Sequence, residues 1–292
     1  DCSVSGNPAA QTALGPMVLA AIEHNEAPGR RLVDDDLAES FLPARWRWLV
    51  RSARAGGVRR ALTAASERSG PGLWASIACR KRFIDERLSD PLNDVDTVVV
   101  LGAGLDTRAC RIARHSQMPV FEVDQRVNTE RKAAVLQRVL GATPPSVRLV
   151  PVDFETEPLM PALQAAGYRH GERTFFIWEG VTQYLRPESV RSTLDQLRDA
   201  APGSRLVFTY IRQDFVDGTD LHGAEALYRR FRQRRQVWQS GLVREDVGEL
   251  LDEYGWRLVE QAGPSYFRDT YIRPTGRTLS ASPLEWTALA ER

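Results

Sequence analysis

The sequence predicts an α/β fold: a mostly parallel sheet with helices on both faces, preceded by an N-terminal helical cap. Three observations carry this. From Thr97 onward, short apolar runs alternate with segments at helical spacing, the pattern of a parallel sheet with right-handed crossovers. Before Asp90 no β pattern occurs. Apolar residues make up 42% and charged residues 26% of the 292 positions, which supplies a sizeable core and excludes a disordered chain.

The elements follow in order. Residues 8–90 read as helical, with Leu14, Met17, Val18, Ala21 and Ile22 on one face and a break at Ala27-Pro28-Gly29. A second helix opens at Asp34-Asp35-Asp36, since aspartates suit an N-cap and first turn. Residues 46–65 are arginine-rich and amphipathic, broken at Gly56-Gly57, and a further helix spans 73–88. Thr97-Val98-Val99-Val100-Leu101, bounded by Asp96 and Gly102, reads as a buried parallel strand. Helix 107–114, strand 119–123, helix 125–140, strand 147–152, helix 159–166 and strand 174–178 succeed one another. Pro187 starts a helix to Ala200, at a position where its missing N–H costs nothing. Strand 205–211, a polar segment at 212–242, helix 245–254 and strand 256–261 complete the alternation, and 269–272 reads as one more strand. The division expected is a helical cap at 1–92, contributing to the acceptor and cofactor site, and a cofactor-binding domain at 93–292 with a cap insertion at about 212–243.

Composition narrows the function. A net charge of +1, from 39 basic and 38 acidic residues, lacks the basic excess of a nucleic-acid binder. No apolar run reaches the ~20 residues of a membrane-spanning helix. Cys2, Cys79 and Cys110 form no CxxC pair, and His24, His115, His170 and His222 form no i, i+4 pair, so neither a metal site nor a disulfide framework is expected. A reducing, cytoplasmic setting fits this usage, and no charged-then-apolar leader pattern is present. Lys81 and Lys132 are the only lysines, which reads as compositional bias.

The chemistry gathers at strand ends. Leu101-Gly102-Ala103-Gly104 closes the first strand, where glycines let a ligand approach the backbone and the following helix N-terminus favours polar or anionic groups. Thr107 stands where a dinucleotide fingerprint has its third glycine, which argues against a nicotinamide dinucleotide. Asp124 follows Gly102 by 22 residues, near the distance at which a carboxylate reaches ribose hydroxyls; it could instead cap the next helix. Asp153-Phe154 could meet an adenine amino group and ring face, or cap a helix, and Glu179-Gly180 ends the fourth strand in ligand position. Together these acids and the glycine loop outline an adenosine-type site.

The same residues resemble the leucine carboxyl methyltransferase-like family of S-adenosylmethionine-dependent methyltransferases, in its actinobacterial branch. The matching pieces are Val-Val-Val-Leu-Gly-Ala-Gly-Leu-Asp-Thr-Arg at 98–108, Phe-Glu-Val-Asp-Gln at 121–125, Leu-Val-Pro-Val-Asp-Phe at 149–154 and Trp-Glu-Gly-Val-Thr-Gln-Tyr-Leu at 178–185. Pro202-Gly203-Ser204 before the fifth strand and Arg80-Lys81-Arg82-Phe83-Ile84-Asp85 upstream of the first also match. The resemblance implies a class I Rossmann-like methyltransferase fold. It also implies that Gly102, Ala103 and Gly104 line the methionine part of S-adenosylmethionine and that Arg80 pairs its carboxylate. Asp124 would hold the ribose, Asp153 and Phe154 the adenine, and Glu179 would lie near the amino group and sulfonium, with Gln125 and Gly180 also among the cofactor-binding residues. Residues 32–41 depart from the family pattern, with Asp36 where a proline is common.

Methyl transfer from a sulfonium is an in-line displacement in which the cofactor carries the reactive group. A carboxylate acceptor needs no general base, whereas a phenol or alcohol does. No histidine lies in the strand-end motifs, so the expected acceptor is a small-molecule or peptide carboxylate, with a phenol or alcohol of a secondary metabolite as the alternative. A nicotinamide-dependent oxidoreductase and a non-catalytic cofactor-binding protein are more distant readings. Tyr184 and Tyr210 could orient an acceptor or simply pack, and His222 is either a base or a solvated loop residue. The run Tyr228-Arg229-Arg230-Phe231-Arg232-Gln233-Arg234-Arg235 is either a solvated helix face or a wall that attracts an acidic acceptor. Trp46, Trp48 and Trp74 suit either an acceptor pocket or the core.

Overall fold

The computed structural model describes residues 14–90, 94–234 and 236–292. Helices α1 (Leu14–His24), α2 (Ala38–Phe41), α3 (Ala44–Ser52), α4 (Gly56–Ser69) and α5 (Leu73–Leu88) precede the sheet. The strands are β1 (Thr97–Leu101), β2 (Val120–Asp124), β3 (Val147–Pro151), β4 (Thr174–Trp178), β5 (Arg205–Ile211), β6 (Arg257–Ala262) and β7 (Glu285–Glu291). Between them lie α6 (Arg108–Ala113), α7 (Arg126–Leu140), α8 (Leu159–Ala165), α9 (Pro187–Gln196), α10 (Gln213–Asp217), α11 (Glu225–Tyr228), α12 (Val247–Glu253) and α13 (Pro264–Phe267).

All seven strands form one sheet in the order β3-β2-β1-β4-β5-β7-β6. Strands β1 to β5 pair in parallel, and β7 lies antiparallel between β5 and β6. The order reverses between β1 and β4, so the crevice at their carboxyl ends is the place where an open α/β sheet binds ligands.

Strand alternation divides the core into two layers. Val98, Val100, Phe175, Ile177 and Val207 face one side, where they join the apolar faces of α1, α5, α6 and α7. Val99, Leu101, Phe176, Trp178, Leu206 and Phe208 face the other, against α8, α9 and α12. The first layer runs without a break from Met17 and Phe41 through Phe83 to the sheet, so the N-terminal helices share the core of the sheet.

Asp35 shows why α2 begins where it does. Its carboxylate accepts the N–H groups of Leu37 and Ala38 at 3.2 and 3.1 Å and the Thr107 hydroxyl at 2.7 Å, tying the cap to the loop after β1. A third, smaller core holds Phe215, Leu227, Phe231 and Trp238, with Phe231 and Trp238 stacked at 4.6 Å. Arg232 closes this segment by donating to the Val216 and Trp238 carbonyls at 2.9 and 2.6 Å.

Two expectations fail at the C-terminal side. Residues Arg268–Ile272 are a π-helical turn continuing α13, not a strand, because Pro264 starts a helix there and Tyr271 and Ile272 bury in the first core layer. No element is expected at 285–291, yet β7 forms there. Its Ala-Leu-Ala centre has helix-forming residues, but both neighbours, β5 and β6, bond to it along its length, and tertiary pairing overrides propensity. No helix among the described residues is long and apolar enough to cross a membrane.

Candidate active site

The loop after β1 is built around a single carboxylate. Asp124, the last residue of β2, accepts the Gly104 N–H at 2.7 Å on one oxygen. Its other oxygen accepts the Gln125 N–H and the Asn128 side-chain amide, each at 2.7 Å. Gly102 has φ +71°, and a Cβ there would lie 2.3 Å from Val181 Cγ2. Gly102→Ala is therefore expected to combine backbone strain with a clash and to unfold the loop. Melting should shift down by several degrees and ligand affinity should fall at least about tenfold, measured by calorimetry.

Behind the loop lies a buried set of charges. Arg80 on α5 donates to Glu179 at 2.9 Å and to Glu285 on β7 at 2.5 Å. Lys81 sits 3.3 Å from Glu179, and Arg108 donates to its other oxygen at 2.7 Å. Arg108 also meets Asp85 at 2.5 Å and pairs with Asp106. Burial pushes the Glu179 carboxyl up, but Lys81, Arg108 and Arg80 together hold it well below the usual carboxylate range. Glu285 moves the other way, raised by burial that Arg80 only partly offsets. Gly180 leaves room for this set: its φ is +69°, and a Cβ would come within 2.9 Å of the Arg80 guanidinium.

A cavity of about 410 Å³ opens at the carboxyl ends of β1 and β4, within the size range of small-molecule sites. Arg80, Gly102, Ala103, Gly104, Asp124 and Gln125 lie on its wall, as do Phe154, Glu179, Gly180 and Tyr184. Ten of the residues singled out in the sequence thus converge.

Trp46, Trp48 and Trp74 do not line it, and neither do three of the candidate catalytic and cofactor residues. Tyr210 has the parity of Leu206 and Phe208 on β5, so it points into the opposite core layer and bonds Gln261; burial raises its phenol. Thr209, of the other parity, reaches the site and accepts the Gly180 N–H at 2.7 Å. His222 sits in the 212–243 segment with its ring nitrogens 3.1 Å from Asp214 and 3.5 Å from Asp220, off the cavity wall. Asp153 accepts the Glu155 N–H at 3.0 Å in the turn after β3, beside the wall rather than on it. It caps no helix either: the next helix, α8, starts at Leu159 after Pro158, and the Asp153 carboxylate closes a turn.

Several wall residues escape sequence reasoning. Lys81 adjoins Arg80, and Glu285 arrives from 205 positions away. The scarcity of lysine hides a pattern: both lysines are buried beside the glycine loop. Lys132 donates to the Asp106 carbonyl at 2.5 Å and to Glu122 at 2.9 Å, and burial still pushes Glu122 up to about 7. Gln183 Oε1, Trp238 Nε1 and Glu285 Oε1 are buried without hydrogen-bond partners among the described residues, and all three residues line the cavity. Buried polar atoms left this way are expensive, and these three are placed where a polar ligand in the cavity could satisfy them. Cys79 and Cys110 are buried free thiols raised by burial; Cys2 lies outside the described residues.

The comparisons with known proteins agree with this geometry. Residues 13–198 match the family model described as leucine carboxyl methyltransferase. A Mycobacterium sp. (strain KMS) protein named "Putative S-adenosyl-L-methionine-dependent methyltransferase" is 36% identical over 196 residues, covering 62% of this chain and 61% of that protein. The chain thus spans about three fifths of that relative's length. A Mycobacterium bovis BCG protein of the same name is 32% identical over 242 residues, covering 79% of this chain and 75% of its own. Among solved structures, a duf574 family protein from Streptomyces avermitilis superposes with TM-score 0.55 at 16% identity, covering 80% of this chain and 90% of that one. That likeness concerns the fold. With the family model spanning most of the chain and the glycine loop, Asp124 and Glu179 gathered at one crevice, the chain belongs to the leucine carboxyl methyltransferase family.

Proposed function

We propose that the protein is an S-adenosylmethionine-dependent O-methyltransferase that esterifies a carboxylate of a small-molecule or peptide acceptor. The observation that carries this reading is the composition of the cavity wall: a glycine loop, a ribose-type aspartate and a buried cation cluster, with no histidine among the described wall residues.

The wall fits the cofactor. Arg80 and Lys81 would receive its carboxylate, Asp124 its ribose, Phe154 an adenine face with Asp153 in the adjacent turn, and Glu179 its amino group. S-adenosylmethionine, when bound, supplies an activated methyl group on sulfur. The chain's own part is to hold the acceptor oxygen in line, exclude water and leave the proton inventory unchanged. A carboxylate arrives ionised, so a wall without a histidine base suffices. Gln183 and Trp238 offer buried, unpartnered polar atoms that could fix an acceptor's orientation, with Tyr184 beside them. The N-terminal helices, through Pro16, Met17, Leu73 and Ile77, form the apolar roof of this cap.

The test uses a methyl-labelled donor and a panel of acidic and phenolic acceptors. Label released by mild base is the expected result, since esters hydrolyse there. Base-stable label on a phenol would support the ether-forming alternative instead.

A further inference from the structure

Next to the cofactor cavity lies a second concavity, a groove of about 1,050 Å³. Its charged lining is of one sign. Arg45 and Arg47 come from α3, Arg131 and Arg138 from α7, and Arg230 from the π-helical turn after α11; no aspartate or glutamate among the described residues lines it. Neighbouring arginines are neutralised: Arg51 and Arg54 pair with Glu39, Arg59 with Glu26 and Arg114 with Asp36. The five in the groove pair with no carboxylate among the described residues. Arg45 and Arg230 instead lie over the rings of Trp46 and Phe231, at 5.8 and 5.0 Å, which leaves their donor edges open.

The floor is apolar, from Phe41, Trp46 and Val135. Val135 stands between Arg131 and Arg138 on one face of α7. Leu105 and Phe231 belong to both the groove and the cofactor cavity, and α1 lines the groove with Leu14 and Gly15 and the cavity with Pro16 and Met17. The two concavities therefore adjoin, with Leu105 and Phe231 at their common border. Of the arginine run at 229–235, Arg230 faces the groove and Arg232 is used for backbone contacts, while Arg235 lies outside the described residues.

We propose that this groove binds a second anionic group of the methyl acceptor, so that the acceptor is an amphipathic small molecule with at least two anionic groups and an apolar body between them. Five like charges converging over a low-dielectric floor raise the local potential, and guanidinium forks match carboxylate, phosphate or sulfate oxygens. The acceptor role rests on the methyltransferase reading above; the groove's preference for anions does not.

The probe is benzene-1,3,5-tricarboxylate, titrated calorimetrically into the full chain and into the R131Q/R138Q and R45Q/R230Q variants, with benzyl alcohol as the neutral control. Binding to the wild type is expected with a dissociation constant on the order of 0.1 mM at low salt, weakening about tenfold at ~300 mM salt and about tenfold in each variant. S-adenosylhomocysteine affinity should stay within about twofold in the variants. Equal tricarboxylate binding by wild type and variants, or none at millimolar concentration, overturns the proposal. Arginine-dependent binding of hexaglutamate but not of the tricarboxylate also overturns it, in favour of an acidic polypeptide. Arginine-dependent tricarboxylate binding without any S-adenosylhomocysteine binding supports the anion groove and overturns the methyltransferase reading on which the acceptor role rests.

Discussion

Replacing Asp124 with alanine is expected to weaken S-adenosylhomocysteine binding by about a hundredfold, roughly 2.7 kcal/mol. The carboxylate holds the Gly104 and Gln125 N–H groups and the Asn128 amide at 2.7 Å each, so its removal frees the loop and deletes the proposed ribose contact together. Hydrogen bonds to a charged group contribute about 1.5–3 kcal/mol each, which makes the estimate conservative. Asp124→Asn keeps one acceptor oxygen and should lose only about tenfold. Calorimetry on folded variants, checked by circular dichroism, measures both. Affinity within threefold of wild type for Asp124→Ala would remove Asp124 from the site.

The second large effect is on stability. Glu179→Gln keeps the shape but leaves Arg80, Lys81 and Arg108 buried with one counter-charge fewer. Breaking a buried pair this way costs about 3–5 kcal/mol, a large share of the ~5–15 kcal/mol that holds a domain together. The pH dependence has a definite sign. The folded-state carboxyl of Glu179 is held below its unfolded value, so its contribution is complete above the ordinary glutamate range near pH ~4.3 and is lost as pH falls toward the depressed value. Urea unfolding from pH 3 to 7 should show wild-type stability falling at the acid end. The variant should be less stable at pH 7 and flatter below pH ~4.5. A variant as stable as wild type at pH 7 would mean the cations find other partners.

How much of this was readable in the sequence varies by element. Strands β1 to β4 were legible because each is a short, largely apolar run with a glycine or acid at its end or within two residues of it, and β5 as an apolar run after Pro202-Gly203-Ser204; the glycine loop with Asp124 and Glu179 falls at those ends by simple counting. The face of a strand is harder. Thr209 and Tyr210 are adjacent, but only the packed sheet shows that Thr209 turns toward the loop and Tyr210 toward α9 and α12. β7 was hidden because its residues favour a helix in isolation, and Glu285 was hidden with it. Its partner Arg80 lies 205 positions away, a separation that local pattern cannot bridge. The lysines teach a related lesson: their rarity looks like composition, while the fold puts both in buried ion pairs around one loop.

The central claim is that the crevice at the carboxyl ends of β1 and β4 binds S-adenosylmethionine. Titration of the full chain with S-adenosylmethionine, S-adenosylhomocysteine and NAD in one calorimetric series tests it most directly. One-to-one binding of both sulfur nucleosides, lost in Asp124→Ala, with no heat from NAD, is the predicted result. Binding of NAD with no binding of either sulfur nucleoside would contradict it.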